Sequence, residues 1–266
     1  MINAALYRRE LKKSWKTLLI FSLISTLYVV IIISMYDSAM QDTLDNFIRL
    51  MPGLMEAVGM RAGTKGLLGY MSSYLYGFIL IVFPMVFSMM TANRLIARYV
   101  EQGSMASLVA APVKRSKIAL TQMFTLLTGI IFLVVYITLL ELVVAESNFP
   151  GELDRGKLLI MNGGLLALHL FIGALAFFFS CLFSDTKYSI AFGSGIPAVM
   201  FIIKMLANVG GVAKNFKYAT FFSLYAPDDL ILQSSSAWWG ILALALGSVI
   251  LFIAAVGIFS RKDLHI

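Results

Sequence analysis

Six stretches without a charged side chain dominate this sequence: 17–36, 66–93, 118–140, 158–184, 188–203 and 230–260, of 20, 28, 23, 27, 16 and 31 residues. A helix that crosses a bilayer needs about 20 mainly apolar residues. Five of the runs reach that length. The 16-residue run reaches it if Lys204 lies near a membrane face and extends its ammonium outward. The sequence therefore predicts an all-α polytopic membrane protein, with spans over about 17–36, 70–93, 118–140, 158–183, 188–207 and 237–260. Only 13% of the residues are charged, against roughly 25% in soluble domains. The first run exceeds the roughly 7–15 residues of a secretory signal core and no A-x-A-like site follows, so it is expected to remain as a span. No period of 20–50 residues repeats, and 1–266 reads as one transmembrane domain.

The net charge of +7 is sorted along the chain rather than pooled, which argues against nucleic acid as a partner. Segments 1–16, 94–117, 184–188 and 260–266 hold thirteen of the 21 Lys and Arg, but only four acids: Glu10, Glu101, Asp185 and Asp263. The opposite segments hold eight bases and ten acids. This bias places the basic side, with both termini, in the cytoplasm of a cell with the chain in its plasma membrane. A bacterial source is expected. The lone cysteine, Cys181, excludes a disulfide within the chain and reads as a small apolar packing residue.

At about 100° per residue, 1–16 is two-faced. Ala4, Tyr7, Leu11 and Trp15 share one side; Arg9, Lys12, Lys13 and Lys16 share the other. That pattern predicts an amphipathic interfacial helix on an anionic leaflet, with Trp15 at headgroup depth. Beyond span one, Leu44, Phe47, Ile48 and Met51 recur at helical spacing and Pro52-Gly53 restarts the chain, so short outer helices are expected. Pro84 in span two kinks a helix and frees a carbonyl. Gly193, Gly195 and Pro197 allow close packing or a bend in span five. The stretch 208–236 is too apolar to float freely and is expected to be sheltered by protein.

Catalytic patterns are missing from the sequence. There is no H-E-x-x-H and no G-x-S-x-G, and "GMRAGTKG" lacks the spacing of a phosphate loop. His169 is the one candidate base recognised within a span; it reads as a hydrogen-bonded interior histidine before a proton relay. No metal site and no bound cofactor are expected.

The segment "VEQGSMASLVAAPVKRSKI", 100–118, is the most specific feature. Ser104 is placed to cap a helix carrying Met105, Leu108 and Val109, and Pro112 ends it. Eight residues span about 12 Å, too short to cross a bilayer. So short an apolar face is stable only when lipid or a groove on a soluble partner buries it. Arg94 and Arg98, four apart at the end of span two, share a face beside it.

Here the chain resembles the type-2 permease subunits of ATP-binding cassette transporters. Their loop between the second and third spans follows roughly E-x-G-[ST]-x-x-x-L-[LV]-x-x-P-[VI]-x-[KR]. Glu101, Gly103, Ser104, Leu108, Val109, Pro112, Val113 and Arg115 meet that pattern. "LYRRELKKSWKT", "LMPGLMEAVGM" and "GIFSRKDL" are also similar to the family. The resemblance implies an exporter half without catalysis of its own. It would pair with a second copy or a related permease above two ATPase subunits, which would hold the ATP and Mg²⁺. It further implies a cytoplasmic coupling helix between spans two and three. Arg94, Arg98, Glu101, Gly103, Ser104, Met105, Leu108, Pro112 and Arg115, with the amphipathic N-terminus, would meet those ATPases. Two other readings stand beside it: a membrane-embedded enzyme, and a sensor or immunity component that binds a peptide without moving it.

Overall fold

The computed structural model describes residues 2–37, 41–61, 66–101 and 113–262. Every regular element among them is helical, and six helices are long and apolar enough to cross a membrane. α1 is Ala4–Ser34, capped by the Asn3 side chain on the Leu6 N–H. Three short helices follow: α2 (Gln41–Leu50), α3 (Pro52–Ala57) and α4 (Gly66–Tyr74). α5 (Ile79–Leu95) and α6 (Ala97–Glu101) together form the second span. α7 (Arg115–Asn148) and α8 (Arg155–Leu182) are the third and fourth. The fifth is α9 (Thr186–Gly193) with α10 (Gly195–Asn208). Two 3-10 segments, 211–219 and 221–224, lead through α11 (Pro227–Ile231) to α12 (Ser235–Arg261). Because six helices cross, α1 begins and α12 ends at the same side, here the termini face; the opposite side is the loop face.

Burial ranks the spans. About two-thirds of the apolar window is buried in Ile79–Glu101 and 61% in Arg155–Leu182, against 17% in Thr186–Asn208 and 22% in α1 and α12. α5 and α8 are therefore the centre, with α1, α7, α10 and α12 around them. The outer rows carry large exposed apolar side chains, such as Leu19, Leu23 and Leu27 on α1 and Leu242, Leu246 and Ile250 on α12. Such rows suit hydrocarbon.

The expected short helices between spans one and two are present as α2 and α3. The stretch 208–236 is sheltered only in part: Phe222, Tyr225 and Leu230 are buried, whereas Phe216, Tyr218 and Leu232 are exposed. Other boundaries differ. The segment 1–16 is not a separate interfacial helix: α1 continues unbroken through 31 residues, about 46 Å. Its packed stripe is Leu6, Glu10 and Ser14, while Ala4 and Trp15 are exposed. Tyr7 reaches the Thr128 hydroxyl on α7 at 2.7 Å. Protein contact thus holds one face of these turns. α7 likewise runs to Asn148, past the expected end at 140, and takes Glu141 inside.

The fifth span bends at Ser194, where Pro197 has no N–H for the Gly193 carbonyl and a Cβ on Gly193 would sit 3.2 Å from the Ala176 Cα. The chain breaks twice here, between α4 and α5 at 75–78 just before span two, and within that span at Ile96. The first break is pinned by backbone contact. Gly59 has φ +88°, and a Cβ on Gly77 would lie 2.9 Å from the Gly59 Cα and 2.7 Å from the Val58 carbonyl oxygen.

Candidate functional site

At the termini face the second break decides the geometry. Beyond Ile96 the α5 ladder stops, leaving the Ala92 carbonyl and the Ala97 N–H without their helical partners. Ser180 on α8 serves both: its hydroxyl accepts from Ala97 N at 2.9 Å and donates to the Ala92 carbonyl at 3.2 Å. α6 thus leaves at an angle yet stays tied to the central helix.

Around this joint three elements meet through polar side chains. Tyr99 on α6 donates to Glu10 Oε1 at 2.7 Å, and Lys13 Nζ donates to the Tyr99 hydroxyl at 3.2 Å while lying 4.8 Å from its ring centroid. Glu10 is fully buried. Arg94 donates to the Lys13 carbonyl at 3.2 Å and to the Ser14 hydroxyl. Asn93 Nδ2 donates to the Ser194 hydroxyl at 3.0 Å, and the Ser189 hydroxyl donates to Asn93 Oδ1. α6 is thus tied to α1 through Tyr99, and the end of α5 to α1 through Arg94 and to the α9–α10 bend through Asn93. Between α5, α6 and α9 lies a cleft of about 450 Å³ lined by Met89, Met90, Arg94, Arg98, Glu101 and Ile190, among others.

Of the residues singled out from sequence, Arg94, Arg98 and Glu101 come together at this cleft. Arg94 turns inward to α1, whereas Arg98 and Glu101 stay exposed. Gly103, Ser104, Met105, Leu108 and Pro112 lie outside the described residues. Arg115 is elsewhere: it donates to the Lys262 carbonyl at 2.6 Å, and Lys262 Nζ caps α8 through the Cys181 and Leu182 carbonyls at 3.2 and 2.9 Å. Burial pulls the Lys262 ammonium below its ordinary pKa. Arg9, Lys12, Trp15 and Lys16 are exposed on α1, and Lys13 is held by Tyr99.

Sequence reasoning missed Glu10, Tyr99 and Ser180. The i, i+4, i+8 spacing of Leu6, Glu10 and Ser14 was the available signal; for Ser180 there was none. It also missed a second buried acid. Glu141 Oε2 accepts from the Tyr76 hydroxyl at 2.7 Å and from Asn162 Nδ2 at 2.8 Å, while Oε1 has no partner among the described residues. His169 is therefore not the one ionisable candidate within the spans. Its own reading as a hydrogen-bonded interior residue stands, with Nε2 2.9 Å from the Leu80 carbonyl oxygen. Among the described residues no three His, Cys, Asp or Glu gather as metal ligands.

No family model and no curated protein matches this chain.

Proposed function

We propose that this chain is the membrane-spanning permease subunit of an ATP-driven exporter of a small or peptide-like cargo, with hydrolysis on a separate soluble subunit. The observation that carries the proposal is the joint at the termini face. Arg98 and Glu101 stand exposed at one end of the apolar segment 102–112, Tyr99 ties the same short helix to α1, and Arg94 ties the end of α5 to it. A partner that buries the apolar turns of 105–112 would pull on α6. Through Arg94 and Tyr99 it would tilt α1, and through Asn93 the bend at Ser194. In this reading the basic termini face is cytoplasmic, where ATP is available, and two permease chains share two ATPases.

The test is pull-down of the full chain in detergent with mass spectrometry of what accompanies it. A soluble ATPase with a phosphate loop is the expected companion. Met105→Asp should strip it from the complex, while Arg94→Gln should keep it bound yet abolish transport-linked ATP turnover. ATPase association undiminished in Met105→Asp, with normal transport, would overturn the docking.

A further inference from the structure

The loop face holds a cavity of about 320 Å³ between the 75–78 break, the last turns of α10, the two 3-10 segments and α11. That volume lies at the lower end of small-ligand sites. Five charged side chains line it: Arg61, Lys204, Lys217, Asp228 and Asp229. The half-buried Asp228 carboxylate is already engaged. Asp228 Oδ2 takes the Arg61 guanidinium at 2.8 Å and Oδ1 takes the Ser72 hydroxyl at 2.6 Å. The hydroxyls are used as well: Thr220 donates to the Met200 carbonyl at 2.9 Å, and Ser223 donates to the Lys217 and Thr220 carbonyls at 2.5 and 2.6 Å.

What remains are donors. Lys204 and Asn208 stand four apart on α10 and so share a face, and both line the cavity. Lys217 completes the set from the facing 3-10 segment. Among the described residues none of the three side chains has a hydrogen-bond or ion-pair partner. Lys204 Nζ has only the Phe201 ring, 5.7 Å to its centroid, and Lys217 Nζ the Tyr218 ring at 4.9 Å. Asp229 is exposed in the first turn of α11 and pairs with neither. The charged neighbours of the part-buried Lys204 ammonium are Arg61 and Asp228, which are already paired with each other, so it lacks a hydrogen-bonded counter-charge of its own until an anion arrives.

We infer that this cavity binds an oxyanion, a carboxylate or a phosphate, whose oxygens accept from Lys204 Nζ and Asn208 Nδ2 with Lys217 completing the charge. Charge-assisted hydrogen bonds of this kind are the strong ones. An anionic lipid headgroup and a free oxyanion present the same chemistry, and the loop-face end of a span is open to either. The inference stands apart from the ATPase reading, since binding needs no partner subunit.

The test uses the purified full chain in neutral detergent, with thermal unfolding followed against phosphatidylglycerol or inorganic phosphate. Phosphatidylcholine and chloride at matched ionic strength are the references. At least one oxyanion should raise the melting temperature above its reference. Stabilisation by phosphatidylglycerol alone identifies a lipid headgroup; stabilisation by phosphate identifies a free anion. Lys204→Met should raise the half-saturating concentration tenfold or more, and Lys214→Met, on an exposed residue away from the cavity, should leave it unchanged. Asn208→Asp, which sets a carboxylate where the anion would sit, should also weaken binding at least tenfold and decides the matter if Lys204→Met does not fold. Binding unchanged in the folded variants, or no response of the wild-type chain to either oxyanion, overturns the site.

Discussion

With proline at position 84, the Leu80 carbonyl four residues back has no helical N–H to accept. The sequence announces that orphan but not its partner, which is His169 on α8. Nε2 must be the donor, so Nδ1 is the bare nitrogen, buried and without a partner among the described residues. His169→Ala should therefore cost about 1–3 kcal/mol, the range for an unsatisfied buried acceptor. Adding Pro84→Ala to that variant restores an N–H to Leu80 and should recover part of the loss, which denaturation of the four chains in mixed micelles would show as a coupling of about 0.5 kcal/mol or more. Strictly additive changes would separate the proline from the histidine. Glu141 poses the reverse problem. It accepts two hydrogen bonds, yet among the described residues no cation lies within ion-pair distance. An uncompensated carboxylate there is expensive. Glu141→Gln keeps an acceptor for Tyr76 and should match or exceed wild-type stability, whereas Glu141→Ala orphans two donors and should lose about 1–3 kcal/mol. Equal losses in both variants would mean the site needs its charge.

For whole elements, the breaks before and within span two have different causes and different legibility. At the 75–78 break the Val58–Gly59 turn that follows α3 rests backbone to backbone on Gly77, so Gly59 carries two constraints: a positive φ and the absence of a Cβ that would collide with Gly77. Gly151 has φ +79° with open space around it, so it carries only the first. Gly59→Ala should consequently destabilise more than Gly151→Ala; the latter alone is expected near 1–2 kcal/mol. Equal melting temperatures would show that this turn does not pin the break. The six apolar helices were legible because charge-free length is a local property, and the missing donors at Pro84 and Pro197 because proline removes one wherever it stands. The Ile96 break was not, since its remedy is a serine hydroxyl 84 positions along the chain. Glu141 was misplaced for a related reason. Counting uncharged residues stops at the first acid, so a span that swallows one is cut short and its buried charge is read as a boundary. The N-terminal helix shows the same weakness. Its polar stripe looks amphipathic from either side, and only the packed partners decide that Glu10 faces protein.

On the scale of the whole molecule, the remaining question is which face meets the cytoplasm. Six crossings fix the termini to one side without saying which. The charge count gives the expectation on which the proposed function rests: that side carries thirteen of the 21 bases and four acids, and basic segments tend to be retained inside. Cys181 is buried, so the native chain is a nearly silent background for thiol labelling. Ser147, at the loop-face end of α7, and Ser184, in the turn between α8 and α9, are both exposed. In intact cells a membrane-impermeant maleimide should label Ser147→Cys and spare Ser184→Cys until the cells are opened. The reverse pattern would put Arg98, Glu101 and the apolar segment after them outside the cell, where no ATP is supplied. A nucleotide-driven partner at the α6 joint would then be impossible, however well the joint transmits motion, so the labelling experiment bears on the proposed function before any partner is purified.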